Sequence, residues 1–67
     1  MSTFIVNGEI REVSDALTVG DLLDRLSVSH QTVAVMVNGA IIAREAFATE
    51  SLHERDAIEI VRFVGGG

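Results

Sequence analysis

The feature that most narrows the fold is an Asn-Gly pair that occurs twice. Asn7-Gly8 and Asn38-Gly39 each follow a valine and each lie between runs of strand-forming residues. A two-residue type I′ turn needs positive φ at both central positions, and Asn followed by Gly meets that need at low steric cost. Each pair therefore predicts a tight hairpin. The first joins residues 3–7 to residues 9–13, and the second joins residues 33–37 to residues 40–43. The two Val-Asn-Gly segments read as one turn chemistry used twice, not as an internal repeat. Alternation puts Phe4 and Val6 on the core side of the first strand and Ile5 on the opposite side. Residues 33–37 hold no polar side chain, as expected of a strand flanked by others.

Between the hairpins the period changes. Leu22, Leu23 and Leu26 recur at helical spacing, with Asp21, Asp24 and Arg25 outside the stripe. Thr18 reads as the N-cap, Asp21 three residues on as the capping-box acid, and Leu17 with Leu22 as a hydrophobic staple. The predicted helix covers residues 19–26. Gly20 weakens it by up to about 1 kcal/mol relative to alanine, so packing must hold it. Residues 14–16 and 27–32 read as loops. Residues 44–53 show no clean period, and Phe47 and Leu52 are expected to plug the bottom of the core. Arg55-Asp56 makes the last turn. Residues 57–63 form the final strand, with Ile58 and Ile60 inward and Val61 and Phe63 on the other face. The fold class is α+β: a mixed ββαβββ-type sheet with one main helix on one face. A right-handed crossover places the first and last strands parallel at its centre.

With 67 residues, the chain is one domain, read as a globular body (residues 1–63) and a tail (64–67). It has no cysteine, so neither disulfides nor thiolate metal sites can hold the fold, and any sulfur chemistry must bring its sulfur from outside. Five arginines, no lysine and ten acidic residues give a net charge of −5. That balance speaks against nucleic acid and anionic membrane as partners, and it suits either solubility alone or a basic partner surface. No signal-peptide pattern or bilayer-length apolar run is present, which makes a cytoplasmic location the expectation.

No constellation of catalytic side chains emerges. His30 and His53 lie far apart and read as solvated loop residues. The serines lack a nucleophile-elbow context, and no phosphate-binding glycine loop occurs. What stands out is Gly65-Gly66-Gly67. At the usual glycine frequency of about 7 %, three in succession at a named place arise by chance on the order of three times in ten thousand. A tail without Cβ atoms is thin, takes any backbone angle and leaves a terminal carboxylate unshielded. From Val64 to Gly67 it spans roughly 10–14 Å, enough to enter a narrow slot in another protein. A frayed end or an engineering scar is the other reading. On the open side of the sheet, Ile5, Met36, Val61 and Phe63, with Val64 beyond them, form a candidate partner-binding surface.

Several pieces then fall into one order and spacing. They are Ile5-Val6-Asn7-Gly8-Glu9, Thr18-Val19 with Leu22-Leu23, and Val33-Ala34-Val35 with Val37-Asn38-Gly39. Arg44, then Ile58-Glu59-Ile60-Val61-Arg62 and Val64-Gly65-Gly66-Gly67, complete the set. Over nearly its whole length the chain resembles the ThiS family of thiamin-biosynthesis sulfur carriers, ubiquitin-like β-grasp proteins. It departs from the family pattern at Ala43, where proline is usual, and at Phe47, where tryptophan is common. Arg55-Asp56 replaces a frequent Gly-Asp turn, and Phe63 sits where smaller residues occur.

The resemblance implies a mechanism. An adenylating, E1-like enzyme (ThiF-type) would use ATP and Mg²⁺ to convert the Gly67 carboxylate to an acyl-adenylate. A persulfide sulfur donor protein would displace AMP and leave a thiocarboxylate. A thiazole synthase (ThiG-type) would take that sulfur into the thiazole ring of thiamin. Gly65 and Gly66 thread the tail, Gly67 carries the sulfur, and the chain itself holds no cofactor and no catalytic residue. The small subunit of molybdopterin synthase, another β-grasp sulfur carrier and a ubiquitin-like protein modifier are the alternatives.

Overall fold

The computed structural model of the chain describes residues 1–63. Its elements are β1 (Ser2–Val6), β2 (Glu9–Val13), α1 (Val19–Arg25), β3 (Val33–Val37), β4 (Ala40–Ile42) and β5 (Ala57–Arg62), with 3-10 turns at His30–Thr32 and Arg44–Ala46. The five strands form one sheet in the order β2-β1-β5-β3-β4. β1 runs parallel to β5, and the remaining pairings are antiparallel. The last strand thus lies in the middle, as the crossover rule predicts.

Both hairpins close as the Asn-Gly pairs require. φ is 50° and 82° at Asn7 and Gly8, and 50° and 85° at Asn38 and Gly39. These turns fix the register at Val6 opposite Glu9 and at Val37 opposite Ala40. One face of the sheet is consequently the core face. Phe4, Val6, Val13, Val33, Val35, Val37 and Ile58 are buried on it, together with Val19, Leu22 and Leu23 of α1. Phe47 and Leu52 close the bottom of this core.

The helix is short but well ended. Thr18 Oγ1 accepts from the Asp21 N–H (3.2 Å), and Asp21 Oδ2 accepts from the Thr18 N–H (3.2 Å) and the Leu17 N–H (3.0 Å). Two further N–H groups of the first turn find carbonyls in the segment after β4: Val19 donates to Glu50 (3.0 Å) and Gly20 to Phe47 (2.8 Å). A helix start has four such donors without intrahelical partners, so the irregular segment acts as a cap as well as a plug. The expected staple does not form. Leu17 is 73 % exposed while Leu22 is buried, because the Leu17 backbone is fixed by Asp21 and by the Leu52 N–H (2.9 Å) instead. At the other end Ser27 takes φ 59°, and the Ser27 and Val28 N–H groups return to the Asp24 and Leu23 carbonyls. This is a Schellman closure with serine in the left-handed position.

His30 is not simply solvated, as the sequence suggests. Its Nε2 lies 2.8 Å from Asp24 Oδ1, and its ring stands edge-on to Phe47 at a centroid distance of 6.1 Å. His53 does remain exposed in the turn before β5. Among the described residues no helix is long and apolar enough to cross a membrane.

Candidate functional site

The open sheet face and the end of β5 form the candidate site. β5 is paired along both edges, and each hairpin asparagine adds to its hold. Asn7 bonds the backbone of Ile60, and Asn38 Oδ1 accepts from the Ala57 N–H (3.0 Å) while its Nδ2 donates to Asp56 Oδ1 (3.0 Å). β5 therefore delivers residues 61–63 from a fixed strand. Val64, Gly65, Gly66 and Gly67 lie outside the described residues.

Register assigns the face opposite the helix. Ile5 pairs with Ile10 on one side and Ala57 on the other; Met36 pairs with Ile41 and Glu59; Ala34 pairs with Val61. Ile10 and Ile41 are 74 % and 79 % exposed, and Val61 and Phe63 are 54 % and 53 % exposed. Phe63 lies one residue beyond β5, where its N–H donates to the Thr32 carbonyl (2.9 Å). It lines a shallow groove with Ala34, Ile42 and Arg44. The structure thus sets Ile5, Met36 and Val61 on one face and Phe63 at its margin.

Ile10, Ile41 and Glu59 are members of this face that the sequence reading did not place on it. The signal for the two isoleucines was present. A two-residue turn at Asn7-Gly8 forces Ile10 opposite Ile5, and one at Asn38-Gly39 forces Ile41 opposite Met36.

The strand arginines keep off the open face. On the open face the ionisable strand residues are Glu12, opposite Thr3, and Glu59, opposite Met36. The strand arginines lie on the helix side. Arg11 pairs with buried Phe4 and Arg62 with buried Val33, and both line a groove of about 320 Å³ beside Leu26 and Ile60. Of the remaining arginines, Arg25 donates to the Ser14 carbonyl, Arg44 donates to those of His30 and Gln31 (3.3 Å each), and Arg55 lies exposed in the turn before β5.

The described residues hold no cluster of three or more metal-ligating side chains. Among the described residues Asp21 is the titratable group that the fold holds away from its ordinary value. The Leu17 N–H, with those of Thr18, holds its carboxyl below the usual aspartate range despite an opposing desolvation effect. That shift belongs to the helix cap, not to chemistry.

Comparison with known proteins bears on this arrangement. Residues 4–67 match the model of the ThiS family. The chain belongs to the ThiS family. The sulfur carrier protein ThiS of Bacillus subtilis is 40 % identical over 63 residues, covering 92 % of this chain and 96 % of that protein. A crystal structure of the thiamine biosynthesis protein ThiS from Geobacter metallireducens superposes with a TM-score of 0.81 at 38 % identity, covering 97 % of this chain and 99 % of that one. The likeness extends to a larger protein. A thiazole synthase of Paramagnetospirillum magneticum is 40 % identical over 63 residues, which is 94 % of this chain but only 19 % of that protein. The fold is therefore the ubiquitin-like β-grasp of ThiS, as the family resemblance implies.

Proposed function

We propose that this ThiS-family chain is a sulfur carrier for the thiazole ring of thiamin. The observation that carries the reading is the match to the Bacillus subtilis sulfur carrier over 96 % of that protein's length. The matching segment within a protein named thiazole synthase supports the same pathway. A carrier segment and the enzyme that consumes its sulfur would sit side by side in one polypeptide.

The chemistry follows from the poor reactivity of a carboxylate, whose oxygen is a bad leaving group. Gly67 is the residue that carries the reactive group. An E1-like adenylating enzyme brings ATP and Mg²⁺; the Gly67 carboxylate oxygen attacks the α-phosphate, and pyrophosphate leaves. A persulfide sulfur from a donor protein attacks the acyl carbon, and AMP leaves with the bonding pair. A thiol then attacks the donor's sulfur, cleaves the S–S bond as a disulfide forms, and leaves a thiocarboxylate on Gly67. Thiazole synthase accepts that sulfur. The chain supplies no catalytic side chain; rate comes from the enzymes holding its end in place. Gly65 and Gly66 let the tail pass a narrow slot, and Ile5, Met36, Val61, Phe63 and Val64 contact the partner.

The test is intact mass after incubation of the full chain with ATP, Mg²⁺, the activating enzyme and a persulfide donor. One oxygen should be replaced by sulfur, and fragmentation should place the change at Gly67 as the terminal residue. Isopeptide adducts on other proteins would make the chain a modifier instead. An unchanged mass would remove the carrier reading.

A further inference from the structure

Glu59 occupies an awkward place for a charged residue. It sits near the centre of the open face, with Ala57 and Val61 two residues away on its own strand and Met36 directly opposite. Ile41 stands beyond Met36, and Ile5 beside Ala57. Among the described residues its carboxylate makes no hydrogen bond and no ion pair, and it is exposed. In the free chain water satisfies it. Any apolar surface laid on Ile5, Met36, Ile41 and Val61 would strip that water. Burying a carboxylate without a counter-charge is costly, so a partner that covers this face must bring one. Among the described residues no cation pairs with it. Arg11 and Arg62 face the helix side, and Arg44 is engaged by two carbonyls. The only other ionisable strand residue on the face is also acidic, Glu12.

We propose that Glu59 is the polar anchor of the docking surface and is met by an arginine or lysine of the adenylating enzyme. This rests on the sulfur-carrier reading. The adenylating enzyme is the occupant because it acts first and must choose its substrate. Three glycines have no side chains to be read, so selection of this chain over other glycine-ended chains falls to the body. A single charge within an apolar patch selects well: a correct partner pairs with it, and an incorrect one leaves it desolvated and unpaired.

The experiment measures kcat/KM for adenylation of the full chain by the activating enzyme, using ATP–pyrophosphate exchange, with Glu59→Gln, Glu59→Leu and Glu12→Gln. Glu59→Gln should lower kcat/KM by roughly 30-fold through KM, with kcat at saturation unchanged. Glu59→Leu should weaken it at least as much, since it leaves the enzyme's cation buried against a methyl group. Glu12→Gln, near the sheet edge, should stay within about twofold. Circular dichroism of the variants should match the parent, because the Glu59 carboxylate holds nothing in the fold. A Glu59→Gln value within twofold of the parent, or tighter binding by Glu59→Leu, would overturn the assignment while leaving the carrier reading intact. No adenylation of the parent chain would remove both.

Discussion

The side-chain amide of Asn7 grips the backbone of Ile60 at both of its polar atoms. Asn7 Oδ1 accepts from the Ile60 N–H at 2.7 Å, and Asn7 Nδ2 donates to the Ile60 carbonyl at 3.1 Å. β1 ends at Val6 while β5 runs on to Arg62, so the asparagine continues the parallel ladder where the backbone of β1 has turned away. One residue sets the hairpin and extends the sheet.

Asn7→Ala should accordingly destabilise by about 2 kcal/mol, combining the left-handed φ of 50° with two lost hydrogen bonds. Asn7→Gly tolerates the turn but loses the bonds, and should cost about half as much. Thermal unfolding of the three proteins measures the difference, at roughly 4–8 °C per kcal/mol for a domain of this size.

Asp21 makes stability depend on pH in a definite direction. Its carboxyl is held below the ordinary aspartate value by hydrogen bonds from the Leu17 and Thr18 N–H groups. A depressed folded value means the contribution is complete above the unfolded pKa of about 3.9 and is lost as pH falls through the lower folded value. Asp21→Asn removes this contribution. Urea unfolding should show the parent ahead of the variant near neutrality, with the gap narrowing below about pH 4.

Gly20 reads as a weakness in a short helix, and propensity alone favours alanine there by up to about 1 kcal/mol. The fold reverses that expectation. A Cβ at Gly20 would lie 3.3 Å from the Phe47 carbonyl oxygen and 3.5 Å from His30 Cε1. The same carbonyl accepts the Gly20 N–H at 2.8 Å, so it cannot retreat without weakening the helix cap. Gly20→Ala should lower the unfolding midpoint, and Gly20→Val should lower it by more than about 2 kcal/mol equivalent. A stabilised alanine variant would show that residues 44–53 yield easily.

Deleting Gly66 and Gly67 should abolish adenylation and leave the unfolding curve nearly unchanged. Among the described residues the buried core runs from Phe4 to Ile58. Retained adenylation of the shortened chain would remove Gly67 from its proposed role.

Phe63→Asp should weaken binding to the activating enzyme more than Ile5→Thr does. Phe63 is 53 % exposed and follows the strand that leads to the glycines, whereas Ile5 lies a strand away on β1. Equal affinities by calorimetry would argue that the contact lies elsewhere.

What could be read from the sequence was local. Asn-Gly turns, the Thr18–Asp21 box and the alternation of Phe4 and Val6 depend on residues a few positions apart, and each appears as expected. What could not be read depends on distant partners. Leu17 fails as a staple because the Leu52 backbone holds its own. His30 is engaged because the loop returns it to Asp24 and Phe47. Glu59 gains its apolar surroundings only when β3 and β4 bring up Met36 and, beyond it, Ile41. The glycine end was conspicuous in composition, yet its chemistry came from family likeness, since no side chain there encodes a reaction.

The central position of β5 has a mechanical consequence. A partner that drew the chain onward from Arg62 along the axis of β5 would pull on a strand paired on both sides. Sheet hydrogen bonds run across the strands, so such a pull loads those to β1 and β3 together in shear instead of peeling them one by one. The strand that takes the strain is held on both of its edges.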